Sequence, residues 1–228
     1  MRAIRFVTAA LLAVLAAFAV PAAGRAMRCP GEPVATSGWS VPESERICAA
    51  AARALAFVRA AGQSPPASIE IRPLERRRRG DAAQPLGQYD AGSGVVMLAR
   101  YEAAVAASRA HAPAFGLPMS AELWDSFVAH EIAHAVAGAN FTAAPARRAA
   151  AGEYFAAIVQ LSTMPQALRR SILERYDTAA FGDAGEVTML LYEMDPAVFA
   201  VKSYRHYVAL GGGGPAFLAM LMREGLAP

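Results

Sequence analysis

Apolar residues along most of this chain recur at helical spacing, and only one short region alternates as a strand does. Within Pro42–Gly62, the apolar residues Ile47, Ala51, Leu55 and Val58 repeat at intervals of three or four positions. This spacing places them on one face of a helix, and glycine commonly follows the end of a helix. The pattern predicts an amphipathic helix near the start of the fold.

Three short strands are predicted after this helix. Apolar and charged residues alternate in Ala67–Leu74, and Gln84–Tyr89 and Val95–Ala99 are two further candidates. A cluster of turn-forming residues, Asp90–Gly94, separates the last two strands. We therefore expect a small sheet that is antiparallel in part.

The remainder of the chain reads as helical. Ser120 is suited to cap the central helix, which runs to about Gly138. The other predicted helices are Glu102–His111, Pro145–Ser162, Pro165–Tyr176, Gly185–Glu193, Pro196–Leu210 and Pro215–Glu224. The predicted fold class is α+β: a small N-terminal sheet of about three strands, followed by a mainly helical bundle.

The first 26 residues have the pattern of a secretory signal peptide. Arg2 and Arg5 precede the apolar run Val7–Val20, and the small residues of Ala23–Ala26 offer a cleavage site. The alternative is an uncleaved anchor, although the run is short for a membrane span, which needs about 20 residues. We expect a single mature domain, residues 27–228, without a stable membrane span, in the periplasm or outside a bacterial cell.

Charge argues against a nucleic-acid partner. Signal removal lowers the Lys and Arg count from 22 to 19, which equals the 19 Asp and Glu residues. A neutral mature chain lacks the sustained basic face that nucleic acid requires. The one basic run, Arg76–Arg79, is interpreted as a solvated loop, with contact to an anionic envelope surface as the alternative.

The two cysteines, Cys29 and Cys48, are expected to form a disulfide, because an even number of cysteines is typical of exported proteins. The bond would tie the irregular segment Cys29–Val41 to the first helix. Metal ligation by these cysteines is disfavoured, because no histidine is near either of them in the sequence.

The strongest chemical signal is the sequence His130-Glu131-Ile132-Ala133-His134 within the central helix. Two histidines four positions apart lie on one helix face, so their imidazoles can bind one zinc ion. Glu131 is turned to the flank, where it can act as a general base on a metal-bound water. Glu153, on the next predicted helix, can complete a site with two histidines and one carboxylate.

His130, Glu131, His134 and Glu153 resemble the pattern of the gluzincin zinc peptidases, over roughly residues 123–161. The resemblance implies a zincin-like fold, one Zn²⁺ ion and a peptide or protein substrate held by an edge strand. Val95–Ala99 is the candidate for that strand.

The same resemblance implies a Tyr or His on a later helix that stabilises the oxyanion of the transition state. Tyr204 and His206 are equal candidates for this role. His111 is interpreted as a surface residue.

Two further functions compete with that of an exported zinc peptidase, which we expect to be an endopeptidase. One is a non-catalytic zinc-binding scaffold or envelope binding protein that retains the zincin fold. Glu131 argues against it, because this residue is not a ligand and has no structural role at the metal. The other is a helical periplasmic module in which the motif is accidental. The pattern does not indicate an oligomeric state.

Overall fold

The computed structural model describes residues 26–74, 85–111, 113–211 and 214–226. Their fold is α+β, as predicted, with a small sheet and a larger helical part. The strands are β1 Met27–Arg28, β2 Val34–Thr36, β3 Ile69–Pro73, β4 Gly87–Asp90 and β5 Val95–Leu98. The helices are α1 Val41–Ala60, α2 Tyr101–Ala110, α3 Ala121–Asn140, α4 Arg148–Thr163, α5 Gln166–Arg175, α6 Met189–Met194, α7 Pro196–Ala209 and α8 Gly214–Glu224.

The start of helix α1 is fixed by side-chain hydrogen bonds to the backbone of its first turn. The Ser40 side chain accepts a hydrogen bond from the Glu43 backbone, and the Glu43 carboxylate accepts one from the Ser40 amide at 2.8 Å. This reciprocal pair fixes the first turn of a helix. The helix ends before Gly62, whose positive φ of 77° suits a residue without a Cβ atom.

The sheet contains five strands, so the expectation of about three was too low. The segment Cys29–Val41, which we expected to be irregular, contains β2, and β1 lies just before it. Both strands are only two or three residues long, too short for an alternating pattern to be seen in the sequence. The predicted disulfide between Cys29 and Cys48 is confirmed, and it links this segment to α1.

The order of the strands corrects the predicted edge of the sheet. The order is β1-β2-β3-β5-β4, with β5 parallel to β3 and antiparallel to β4. Val95–Ala99 was therefore the wrong candidate for the edge strand, because β5 lies between two neighbours and β4 forms the edge. The cause is the long-range pairing of β5 with β3. The residues of neither strand indicate this pairing.

Helices α3 and α4 form the centre of the domain and pack against each other. Leu123, Val128, Ile132 and Val136 of α3 are fully buried. A helix that is apolar on most sides is typical of a domain interior. The histidine motif of α3 is thus held in a rigid, buried element.

One predicted helix, Gly185–Glu193, is divided in two. A 3-10 turn at Ala184–Glu186 precedes α6, and the Thr188 side chain caps α6 by accepting a hydrogen bond from the Leu191 amide. A capping residue has an extended backbone, so the helix must restart there.

The predicted signal peptide, except Ala26, and the basic run Arg76–Arg79 lie outside the described residues. Within the described part, no helix has the length and apolar character needed to cross a membrane.

Candidate metal centre

The two histidines of the motif converge because of their spacing on α3. The helix begins at Ser120, whose hydroxyl accepts a hydrogen bond from the Leu123 amide at 3.1 Å. His130 and His134 are one turn apart, and their Nε2 atoms are separated by 3.1 Å. Both side chains are largely buried, so these nitrogens face a common, sheltered point.

Glu153 joins this pair because α4 runs alongside α3 after a short connection at residues 141–147. Its Oε2 atom lies 3.5 Å from Nε2 of His130, and its Oε1 atom lies 3.5 Å from Nε2 of His134. The three side chains predicted as metal ligands are therefore brought together, and they form a group able to hold a metal ion.

The ligand atoms are close enough to contact one metal ion. The two Nε2 atoms are 3.1 Å apart, and each lies 3.5 Å from a different oxygen of Glu153. Bonds of about 2.0–2.1 Å from an ion such as zinc to nitrogen and oxygen imply ligand atoms roughly 3.3 Å apart in a tetrahedron, which is close to these separations. In addition, Oε2 of Glu153 is buried without a hydrogen-bond partner. A buried oxygen without a partner is costly, and a cation would satisfy it.

The charge state of Glu153 also suits a ligand. Burial raises the pKa of its carboxyl group, but the nearby imidazoles of His130 and His134 more than offset this, so that the pKa lies well below its usual range. The carboxylate is therefore ionised at neutral pH, as metal binding requires.

Glu131 lies on the flank of this group and is only 4% exposed. Burial raises the pKa of its carboxyl group to about 7, the charge of His130 opposes the rise, and that of Glu153 adds to it. Glu131 also borders a cleft. A largely buried carboxyl group with a raised pKa at the edge of a cleft is a candidate for proton transfer.

Gly87 of the edge strand β4 makes room for Glu131. A Cβ atom at this position would lie 2.5 Å from Oε1 and 2.6 Å from Cγ of Glu131. Only glycine allows the strand to approach the glutamate this closely. Sequence reasoning missed Gly87, because nothing in its neighbours indicates the contact.

A buried chain of hydrogen bonds orients His130. Its Nδ1 atom lies 3.1 Å from Oε1 of Gln160, whose Nε2 atom donates to the Ser126 hydroxyl. That hydroxyl donates to the backbone carbonyl of Leu123. Because the amide oxygen of Gln160 can only accept, Nδ1 donates this hydrogen bond, and in the neutral imidazole Nε2 then has its lone pair for a metal. A glutamine seven positions after Glu153 on α4 was the available signal, and it was overlooked.

The structure does not bring Tyr204 or His206 to the metal ligands. The Tyr204 ring packs under the guanidinium group of Arg169, and Nδ1 of His206 lies 2.5 Å from the Tyr154 hydroxyl. Tyr154 is fully buried on the side of α4 turned towards α7. Helix α7 thus packs behind the ligand face of α4, and neither candidate borders the site.

Tyr192 of α6 borders the cleft, whereas Tyr204 and His206 are not among its lining residues. It borders the same cleft as His130, Glu131 and Glu153. Burial, followed by the charge of Glu153, a hydrogen bond to Glu153 and the charge of Glu131, raises the pKa of its hydroxyl well above the usual value. The hydroxyl therefore stays protonated and able to donate a hydrogen bond. Sequence reasoning missed it because α6 was predicted as part of a longer helix.

These side chains line a cleft with a volume of about 520 Å³. Gly87, Gln88 and Tyr89 of the edge strand form one wall. Phe141, Pro145 and Arg148, around the start of α4, border it as well. A cleft beside a buried carboxyl group and a metal-ligand group is a candidate functional site.

Comparison with known proteins gives one match. Residues 34–225 match the model of a family described as a family of unknown function, DUF6639. The chain belongs to the DUF6639 family. The matched range includes the sheet from β2 onward, the metal-ligand group and the cleft, so these features lie within the family's domain. Searches of curated proteins and of solved structures find no match.

Proposed function

We propose that this DUF6639 protein is an exported zinc-dependent peptidase of zincin-like, gluzincin type. The observation that carries the proposal is Glu131: a carboxyl group only 4% exposed that borders the cleft beside three side chains able to hold a metal ion. A purely structural zinc site has no use for such a group, and such sites normally have four protein ligands. Here the described residues supply three.

His130, His134 and Glu153 would hold the zinc. When bound, zinc supplies a Lewis acid that makes water more acidic and polarises a carbonyl group. Gln160 keeps the His130 imidazole in the tautomer whose Nε2 lone pair faces the other ligands. Ligand orientation is thus determined by the protein before any metal arrives.

Glu131 holds and moves the proton. It borders the cleft beside the ligand group, so it can accept a proton from the attacking water and return it to the leaving amine. Tyr192 keeps its phenolic proton and can donate a hydrogen bond to the negative charge that develops on the substrate oxygen.

The edge strand supports a peptide as the substrate. Among the described strands, β4 pairs only with β5, which leaves its other edge without a strand partner. Gly87, Gln88 and Tyr89 of β4 also border the cleft. An extended peptide can add to such an edge through backbone hydrogen bonds, which places its carbonyl groups along the cleft. The Cys29–Cys48 disulfide supports an exported location.

The test combines metal analysis with one substitution. Purified protein should bind one zinc per chain and cleave members of a peptide library, whereas Glu131→Gln should retain zinc and lose at least 99% of the activity. His134→Ala should lose zinc. Wild-type protein that binds zinc but cleaves no peptide would support a non-catalytic scaffold, and protein that binds no zinc would refute the metal site itself.

A further inference from the structure

Arg148 stands out because, among the described residues that border the cleft, it is the one Lys or Arg. It is half-buried at the start of α4. Its Nε atom donates a hydrogen bond of 2.7 Å to the backbone carbonyl of Ala143. This bond anchors the inner end of the guanidinium group to the connection between α3 and α4.

The outer end of the guanidinium group is left available. Within the described ranges, no carboxylate lies within ion-pair distance of Arg148, and its terminal nitrogens donate to no other group. Other arginines differ: Arg59 and Arg100, for example, form ion pairs with Glu32 and Glu43. A guanidinium group has five N–H donors, so four remain for a ligand.

The position of Arg148 along the cleft relates it to the proposed ligands. Arg148 precedes Glu153 by five positions on α4, which is roughly 7.5 Å along a helix axis at 1.5 Å per residue. Both residues border the cleft, so the cleft presents a cation to a substrate in the vicinity of the ligand group.

We infer that Arg148 binds a carboxylate of the substrate and thereby determines which peptides the cleft accepts. The inference rests on the proposed peptidase function and specifies its substrate class. Planar, paired hydrogen bonds make arginine well suited to carboxylate recognition. The carboxylate can belong to an acidic side chain or to the C-terminus of the peptide. The binding experiment distinguishes these two sources.

Binding is measured with zinc-loaded Glu131→Gln protein, so that no turnover is needed. Labelled peptides are compared in pairs: Glu against Gln scanned along the sequence, and a free C-terminal acid against the amide. In one of these pairs, the peptide that carries the carboxylate should bind about tenfold or more tightly than its uncharged partner. A preference in the Glu scan identifies a side-chain carboxylate, and a preference in the terminal pair identifies a chain end.

Arg148→Gln, added to Glu131→Gln, should abolish this preference, and Arg148→Lys should retain part of it. The matched control is Arg147→Gln, because Arg147 is exposed and adjacent and does not border the cleft. It should leave the preference unchanged. Thermal unfolding of each variant verifies the fold.

The inference is overturned if no pair shows a carboxylate preference, or if the Arg148→Gln protein retains it in full. Cleavage by the wild-type protein is measured separately. A preference that depends on Arg148, without cleavage of any peptide, would uphold the binding role and refute hydrolysis. Cleavage without such a preference would uphold hydrolysis and refute the binding role of Arg148.

Discussion

Gln160 is a sensitive point of the metal site, because its amide links His130 to Ser126 inside the protein. Replacing it with leucine, of similar size, removes the acceptor for Nδ1 of His130 at 3.1 Å and the donor to the Ser126 hydroxyl at 3.1 Å. Gln160 is only 2% exposed, so water cannot substitute freely. Leaving buried polar groups unpaired costs about 1–3 kcal/mol in the free energy of unfolding.

The larger consequence of Gln160→Leu concerns zinc. Loss of a partner that orients a ligand typically weakens metal affinity by roughly 10–100-fold. We therefore expect the Kd for zinc to rise by that factor. Gln160→Glu keeps an acceptor for His130 and should bind zinc at least as tightly as Gln160→Leu does.

The assay is a competition titration of metal-free protein against a chromophoric zinc chelator, at one fixed pH. Thr163→Val is the matched control, because the Thr163 hydroxyl donates to backbone carbonyls of the same helix, those of Val159 and Gln160, and touches neither the Gln160 side chain nor the cleft. Its zinc affinity should equal that of the wild-type protein. A Gln160→Leu protein that is folded and has wild-type zinc affinity would refute the role assigned to Gln160.

Three further predictions concern the cleft. Tyr192→Phe should lower kcat by about 10- to 1,000-fold with little change in KM, because it removes a donor to developing charge, whereas Tyr204→Phe should retain activity. Gly87→Ala should reduce kcat by displacing Glu131, since the new Cβ would lie 2.5–2.8 Å from three of its atoms. In metal-free protein, Glu131→Gln should become progressively more stable than wild type as pH rises from 4.5 to about 7, as measured by chemical denaturation.

The pH-dependent stability expected for Glu131→Gln follows from the direction of the pKa shift of Glu131. Burial raises the pKa of Glu131 from about 4.5 to about 7, so the folded state binds the proton more tightly than the unfolded state does. Stability is therefore greatest below pH 4.5 with respect to this group, and it falls as pH rises to about 7. Glutamine has no such dependence. A stability difference between the two proteins that does not change with pH would contradict the shift.

Two outcomes would contradict the expectations for Tyr192→Phe and Gly87→Ala. Equal losses of kcat in Tyr192→Phe and Tyr204→Phe would remove the reason for assigning the oxyanion role to Tyr192. Full activity in Gly87→Ala would show that Glu131 can move without loss of function, so its close packing against β4 would not matter.

The local sequence determined the main helices and the placement of the two histidines on one helix face. The helical spacing of apolar residues predicted α1, α3 and α4, and the four-residue separation of His130 and His134 placed both on one face of α3. Such features depend on neighbours within one turn, so they can be read directly. The pairing of Cys29 with Cys48 was also predictable, because these are the only two cysteines in the chain.

Tertiary structure alone decided which distant groups reach the metal ligands. The position of β4 at the sheet edge depends on pairing between β3 and β5, and it brings Gly87 against Glu131. Packing of α7 behind α4 turns His206 away from the cleft, while α6 places Tyr192 in it. These outcomes depend on contacts between residues far apart in the chain, which local periodicity does not encode.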